Sequence, residues 1–151
     1  MINTNTNKPV CMVIGAGAGI GGNVAKRFAK EGFHSVLCRR SNQHGLDDLI
    51  RSIEEEGGTA SGFLINVVEP ESIEECVEKV EDDIGPIETL VFNLGAQVGN
   101  KSLSETTYKI FELGWRLATF SLFRTASSVL PKMEKRGKGS FLVTSSTAAF
   151  R

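Results

Sequence analysis

The chain has 151 residues, 40% hydrophobic and 23% charged, with a formal net charge of -1 and a pI near 6.1. That is enough apolar material for one core that folds without a metal or disulfide staple. No basic stripe exists to hold nucleic acid or an anionic membrane, and no run approaches the roughly 20 apolar residues of a membrane span, so the expected partner is a small molecule.

In chain order, the polar "MINTNTNKPV" leads into "VCMVI" (10–14), a run too short and too quickly followed by glycine to be a signal peptide. The glycine-rich "GAGAGIG" comes next and opens a helix. "SVLC" (35–38) predicts the second strand, ending in Arg39, Arg40 and Ser41. Leu46, Leu49, Ile50 and Ile53 fall on one helical face, closed by Gly57 and Gly58, and "SGFLIN" (61–66) predicts the third strand. Pro70 starts a helix carrying Ile73, Val77, Val80 and Ile84, and Gly85 and Pro86 stop it before "ETLVFN" (88–93). From Ser102, paired with Glu105 in a capping box, one long helix is predicted to about Lys135, kinked near Pro131. It shows two apolar stripes: Phe111, Trp115, Ala118, Leu122, Ala126 and Val129 form one, and Ile110, Leu113, Leu117 and Phe120 the other. The second stripe calls for another partner, either further sequence or a second copy of the chain in a homo-oligomer joined around residues 104–135. "SFLVTS" (140–145) predicts the last strand.

Short apolar runs alternating with amphipathic helices predict an α/β fold, a doubly wound parallel sheet with helices on both faces, built as one unit over 1–151. Cys11, Cys38 and Cys76 are odd in number, set in apolar segments and without zinc spacing, which predicts reduced packing residues and a cytoplasmic setting. His34 and His44 flank the second strand without partners at metal or catalytic spacing and are expected at the surface.

Gly15, Gly17, Gly19 and Gly21 lie between the first strand and first helix, where bare N–H groups and the helix dipole favour an anion. Gly15 and Gly17 are expected to allow the tight turn, Gly19 to let a pyrophosphate approach, and Gly21 to let helix and strand pack. No Gly-Lys-Ser/Thr follows, since Gly22-Asn23 stands there, so a dinucleotide is favoured over a nucleoside triphosphate. From Gly32 to Leu46 there is no Asp or Glu to take a ribose 2'-hydroxyl, whereas Arg39, Arg40 and Ser41 suit a 2'-phosphate. NADP is therefore preferred to NAD.

These motifs, in this order, resemble the short-chain dehydrogenases/reductases over the whole chain. In "IGAGAGIG", Gly15, Gly19, Ile20 and Gly21 match the family's glycine motif, with Ile14 where Thr is usual. Asn66-Val67 stands where the family has the Asp-Val that holds adenine, and "NLGA", Asn93 to Ala96 with Gly95 between, where it has Asn-Asn-Ala-Gly. "VLPKMEKRGKGSFLVTSS" resembles the end of the family's long helix and its fifth strand, which places the family's catalytic serine on Ser146 and its asparagine on Ala118. The resemblance implies a Rossmann-type fold and hydride transfer between a nicotinamide and an alcohol or carbonyl carbon. The family's Tyr-x-x-x-Lys pair would follow Ser146 by about a dozen residues, beyond Arg151, so the chain is read as a catalytically incomplete part of a longer one. Its one tyrosine, Tyr108, is read as a packing residue. A nucleotide-binding pseudoenzyme, which Ala118, Asn66 and Leu94 would suit, and a structural subunit docking through the double-striped helix stay open.

Overall fold

The computed structural model describes residues 7–95 and 101–145, in which strand and helix alternate. The elements are β1 (Val10–Ile14), α1 (Ile20–Lys30), β2 (His34–Arg39), α2 (Gln43–Glu55), β3 (Thr59–Leu64), α3 (Ser72–Asp83), β4 (Ile87–Phe92), α4 (Tyr108–Trp115), α5 (Ser121–Arg136) and β5 (Ser140–Val143). The strands form one parallel sheet in the order β3-β2-β1-β4-β5. β1 lies at its centre, all five residues buried, because side chains of both parities meet a helical layer. Val10, Met12 and Ile14 pack with Ile73, Val77 and Val80 of α3 and Val129 and Met133 of α5. Cys11 and Val13 pack on the other side with Ala25 and Ala29 of α1 and Leu46 and Ile53 of α2. Two cores flanking one sheet make the doubly wound, Rossmann-like architecture, and they place the strand-order reversal at the carboxyl ends of β1 and β4.

Burial on both faces holds for β1, β2 and β4, not for the two edges. β3 is only half-buried, and Leu142 and Val143 of β5 are largely exposed. β3 also begins at Thr59 and ends at Leu64, which puts Asn66 in the loop beyond it.

The expected long helix is three pieces. Glu105 accepts from the Ser102 N–H at 2.9 Å and from its hydroxyl at 2.7 Å, but this box closes only a single 3-10 turn, Leu103–Glu105. The helix proper starts at α4, where the Thr107 hydroxyl accepts from the Ile110 N–H. A π-helical turn, Arg116–Phe120, then separates α4 from α5, the Ser121 N–H reaching back five residues to the Arg116 carbonyl. α5 runs through Pro131 to Arg136, so the interruption comes well before the proline. Its inner face is Ser121, Thr125, Val129 and Met133. The two hydroxyls donate to the carbonyls four residues back, at 2.5 Å to Leu117 and 2.7 Å to Ser121, which satisfies them without a partner from the sheet. Ion pairs lace α5 to α3: Arg124 with Glu74, Lys132 with Glu78 and Arg136 with Glu81.

His34 is not at the surface. It is 3% exposed, and its ring nitrogens lie 3.1 Å from the Thr59 hydroxyl and 2.9 Å from the Ser61 hydroxyl on β3. Burial first, and then the Lys8 charge, holds its pKa below the usual 6.5. His44 is exposed and pairs with Asp48. Tyr108, 96% exposed, packs against nothing described in this chain. The three cysteines are free and buried. Burial pushes the Cys11 thiol up to about 12, and the Cys38 thiol is raised by its hydrogen bond with Cys76, 3.9 Å away, and by burial. Among the described residues no helix is long and apolar enough to cross a membrane.

Candidate functional site

The chain turns as soon as β1 ends. Gly15 takes φ +92°, and a Cβ there would sit 2.6 Å from the Asn93 carbonyl oxygen, so neither the dihedral nor the space admits another residue. The N–H groups of Gly15 and Ala16 both donate to the Cys38 carbonyl at 2.9 Å, which hooks the loop over the end of β2. Asn93 holds the other side. Its Nδ2 donates to the Gly15 carbonyl at 3.1 Å, and its Oδ1 accepts from the Thr144 hydroxyl at 3.0 Å.

The remaining glycines divide into two kinds. A Cβ on Gly21 would run into the Gly15 carbonyl, so helix and loop touch there as expected. Gly22, which the sequence did not single out, is equally tight against the Gly17 carbonyl and Leu49. Gly17 and Gly19, by contrast, have nothing within 4 Å of where a Cβ would be, and neither has a positive φ. Gly17 is therefore not required for the turn; it leaves the rim of the loop open, as Gly19 does. Gly19 is the N-cap of α1 and caps it with no side chain. The Gly22 and Asn23 N–H groups donate back to Gly17 and Gly19, while among the described residues those of Gly19, Ile20 and Gly21 find no acceptor. Orphan donors at a helix N-terminus, with the macrodipole behind them, form a site for a small anion. Ile20 is 64% exposed beside it.

A cleft of about 290 Å³ adjoins this loop, lined by Gly15, Arg39, Arg40, Asn66, Val67 and Gly95 together with apolar Ile65, Leu94 and Leu117. Arg39 and Arg40 stand where β2 ends, and among the described residues neither forms an ion pair. Arg39 crosses the start of α2, where a Cβ on Gly45 would lie 3.0 Å from its Nη1. Ser41 is exposed beside Asn42, whose side chain caps α2 by accepting from the Gly45 N–H.

The far wall is the turn after β3. The Glu69 N–H donates to the Asn66 carbonyl, and the Ser72 hydroxyl reaches the carbonyls of Asn66 at 2.7 Å and Glu69 at 3.1 Å. Arg124, from α5, donates through Nη1 to the carbonyls of Val67 and Glu69, both at 3.0 Å, and grips Glu74 with Nε and Nη2. That hydrogen bond holds the Glu74 carboxyl below the usual carboxylate range. The Asn66 side chain donates to Glu69 Oε1 at 3.0 Å, and its Oδ1 is buried with no partner among the described residues. Neither Arg124 nor Glu69 was marked by any motif. A larger cleft of about 510 Å³ lies beyond Arg124, but its arginines are already paired, Arg124 with Glu74 and Arg116 with Glu112. Unsatisfied chemistry is concentrated in the smaller one.

Ala118 falls in the π turn, where its methyl offers no hydrogen bond. Ser146 and Ala96 lie outside the described residues. Residues 9–151 match the family model described as short chain dehydrogenase. The chain belongs to the short-chain dehydrogenases/reductases. It is 30% identical over 141 residues to dehydrogenase/reductase SDR family member 4 of Homo sapiens, a match covering 93% of this chain and 50% of that protein. Among solved short-chain dehydrogenases/reductases it is similar to 7α-hydroxysteroid dehydrogenase complexed with NADH and 7-oxo glycochenodeoxycholic acid, with a TM-score of 0.88 and 28% identity over 99% of this chain and 57% of that one. The actinorhodin polyketide ketoreductase with NADPH matches at a TM-score of 0.88 and 29% identity over 96% of this chain and 56% of that one. The chain thus spans about half the length of the curated family members it matches.

Proposed function

We propose that the protein is an NADP(H)-dependent oxidoreductase that moves a hydride between nicotinamide and an alcohol or carbonyl carbon of a small substrate. The observation that carries the reading is the set of donors without partners among the described residues: the N–H groups of Gly19, Ile20 and Gly21 where α1 begins, and the side chains of Arg39 and Arg40, which line the cleft beside Gly15. A pyrophosphate suits the first group and a 2'-phosphate the second. The residues fit such a ligand on a further count, the open backbone at Gly17 and Gly19, where nothing lies within 4 Å of an added Cβ. When bound, the dinucleotide would supply the hydride donor or acceptor.

The chain's own residues have separate tasks. Gly15, Gly21 and Asn93 keep the loop in place, Arg39, Arg40 and Ser41 meet the 2'-phosphate, and Asn66 and Val67 meet the adenine. Gly95 and Ala96 border the nicotinamide side, and Ser146 orients the substrate oxygen by hydrogen bonding. A cytoplasmic setting, supported by three free buried thiols, belongs to the same proposal. So does assembly through residues 104–135, where Tyr108, Phe111, Trp115 and Phe123 are exposed. Calorimetric titration tests the reading. NADPH should bind more tightly than NADH, and Arg40→Ala should remove about tenfold of that preference, the scale of one charge-assisted hydrogen bond. Equal loss for both nucleotides would sink the NADP assignment, and binding of neither by the unaltered protein would sink the whole reading.

A further inference from the structure

Two thiols beside the cleft touch each other. Cys38 is the next-to-last residue of β2 and Cys76 lies in α3, and their sulfurs stand 3.9 Å apart, within reach of an S–H hydrogen bond. No step of the proposed hydride transfer uses sulfur. A buried thiol by itself is a small packing group, and Cys11 fits that description: it sits in the opposite core, with burial pushing it up to about 12. The pair differs from it in two ways. Cys38 is fully buried, but Cys76 keeps 5% exposure, enough to admit an oxidant hardly larger than water. The hydrogen bond from Cys38 holds the Cys76 thiol below the usual 9.0, and the Lys79 charge helps; burial opposes both without cancelling them. The same hydrogen bond, with burial, raises Cys38, so the shared proton stays there and the thiolate belongs to the more accessible sulfur.

The place of Cys38 in the fold gives the pair a consequence. Its carbonyl accepts the Gly15 and Ala16 N–H groups, both at 2.9 Å, Arg39 and Arg40 follow it, and it lines the cleft with Ile14. A disulfide needs its sulfurs about 2 Å apart, so bridging the pair draws the end of β2 and α3 together beneath the cleft.

We propose that a hydroperoxide converts Cys38 and Cys76 into a reversible disulfide, and that this bridge lowers the affinity of the cleft for its dinucleotide. The effect on affinity rests on the dinucleotide reading above; the bridge itself does not. The Cys76 thiolate attacks one peroxide oxygen, the O–O bond breaks, and the other oxygen leaves and takes a proton to become water. Cys76 is then a sulfenic acid. Cys38 attacks its sulfur, the S–S bond forms as the S–O bond breaks, and the departing hydroxide takes the Cys38 proton as a second water. Two thiols thus lose two electrons to one peroxide, and a dithiol reopens the bridge by exchange, ending as a disulfide itself.

The test treats the full chain with hydrogen peroxide, maps the cysteines by alkylation and peptide mass spectrometry, and titrates the product with NADPH by calorimetry. A Cys38–Cys76 bridge should form while Cys11 stays a free thiol. NADPH affinity should fall by about tenfold or more, the scale of one charge-assisted hydrogen bond moved out of place, and dithiothreitol should restore it. Cys76→Ala should bind NADPH as the reduced protein does and keep that affinity through peroxide treatment, whereas Cys11→Ala should respond like the unaltered protein. Absence of the bridge in the unaltered protein overturns the inference, whatever the variants do. A bridge with unchanged affinity, or an equal loss of affinity in Cys76→Ala, overturns the effect on the cleft. Failure of the reduced protein to bind NADPH overturns that effect together with the proposed function, while the peptide map still decides the bridge.

Discussion

Replacing Arg124 by alanine should be among the costliest single changes to a side chain that is not apolar. The guanidinium, 12% exposed, reaches two backbone carbonyls and one carboxylate. The Val67 carbonyl belongs to a buried residue and would lose the partner it has, a penalty of about 1–3 kcal/mol. Glu69 keeps the Ser72 hydroxyl on its carbonyl, so little is added there. The Glu74 pair is 41% exposed on the acid side and contributes roughly 0–1 kcal/mol. The sum is about 1–4 kcal/mol, which for a chain of this length lowers Tm by roughly 2–16 °C. Urea denaturation of Arg124→Ala beside Glu74→Gln separates the parts, because the glutamine variant keeps Arg124 on both carbonyls and should lose less than about 1 kcal/mol. Arg124→Ala should also weaken NADPH binding through the turn that carries Asn66, whereas Glu74→Gln should not. If the two variants lose the same stability, the carbonyl contacts contribute nothing and the turn is not anchored from α5.

Two glycines should part company. Gly19→Val is expected to abolish NADPH binding in calorimetry while Tm holds, since nothing lies within 4 Å of the new Cβ, and unchanged affinity would refute the placement of the pyrophosphate. Gly21→Ala should instead cost about 1–3 kcal/mol or more in denaturation, because its Cβ meets backbone that cannot rotate away. His34 gives a pH signature. Its folded pKa lies below 6.5, so the unfolded chain binds the proton first, and stability is full above about pH 6.5 and falls as pH drops toward the folded value. His34→Gln should flatten that part of the profile between about pH 8 and pH 5, and a profile identical to the unaltered protein's would show that the ring titrates normally.

β1, β2 and β4 were legible as continuous apolar runs because burial between two helical layers leaves no polar face to confuse the period. The glycine loop was legible for a related reason: close backbone approach excludes side chains, and glycine records it directly. What stayed hidden depends on residues far apart in sequence. His34 reads as polar, yet Thr59 and Ser61 of the neighbouring strand make it a core residue. Arg124 reads as one charge on a helix, yet its partners stand 50 to 57 positions earlier. The apolar stripes failed for a local reason. Counting by 3.6 across the π turn ignores its extra residue, worth about 100° of rotation. Phe111 and Trp115 therefore come out exposed while Val129, on the same counted stripe, is fully buried.

Asn93 has a consequence beyond holding the loop. A primary amide is a rigid planar group, and here its donor end belongs to Gly15 while its acceptor end belongs to Thr144. Thr144 stands two positions before Ser146 in sequence. The glycine loop after β1 and the segment that leaves β5 are thus two ends of one short lever. Neither can shift by more than a hydrogen bond's tolerance without pulling the other, so the spacing between the glycine loop and the end of the sheet's last strand is gauged by a single side chain.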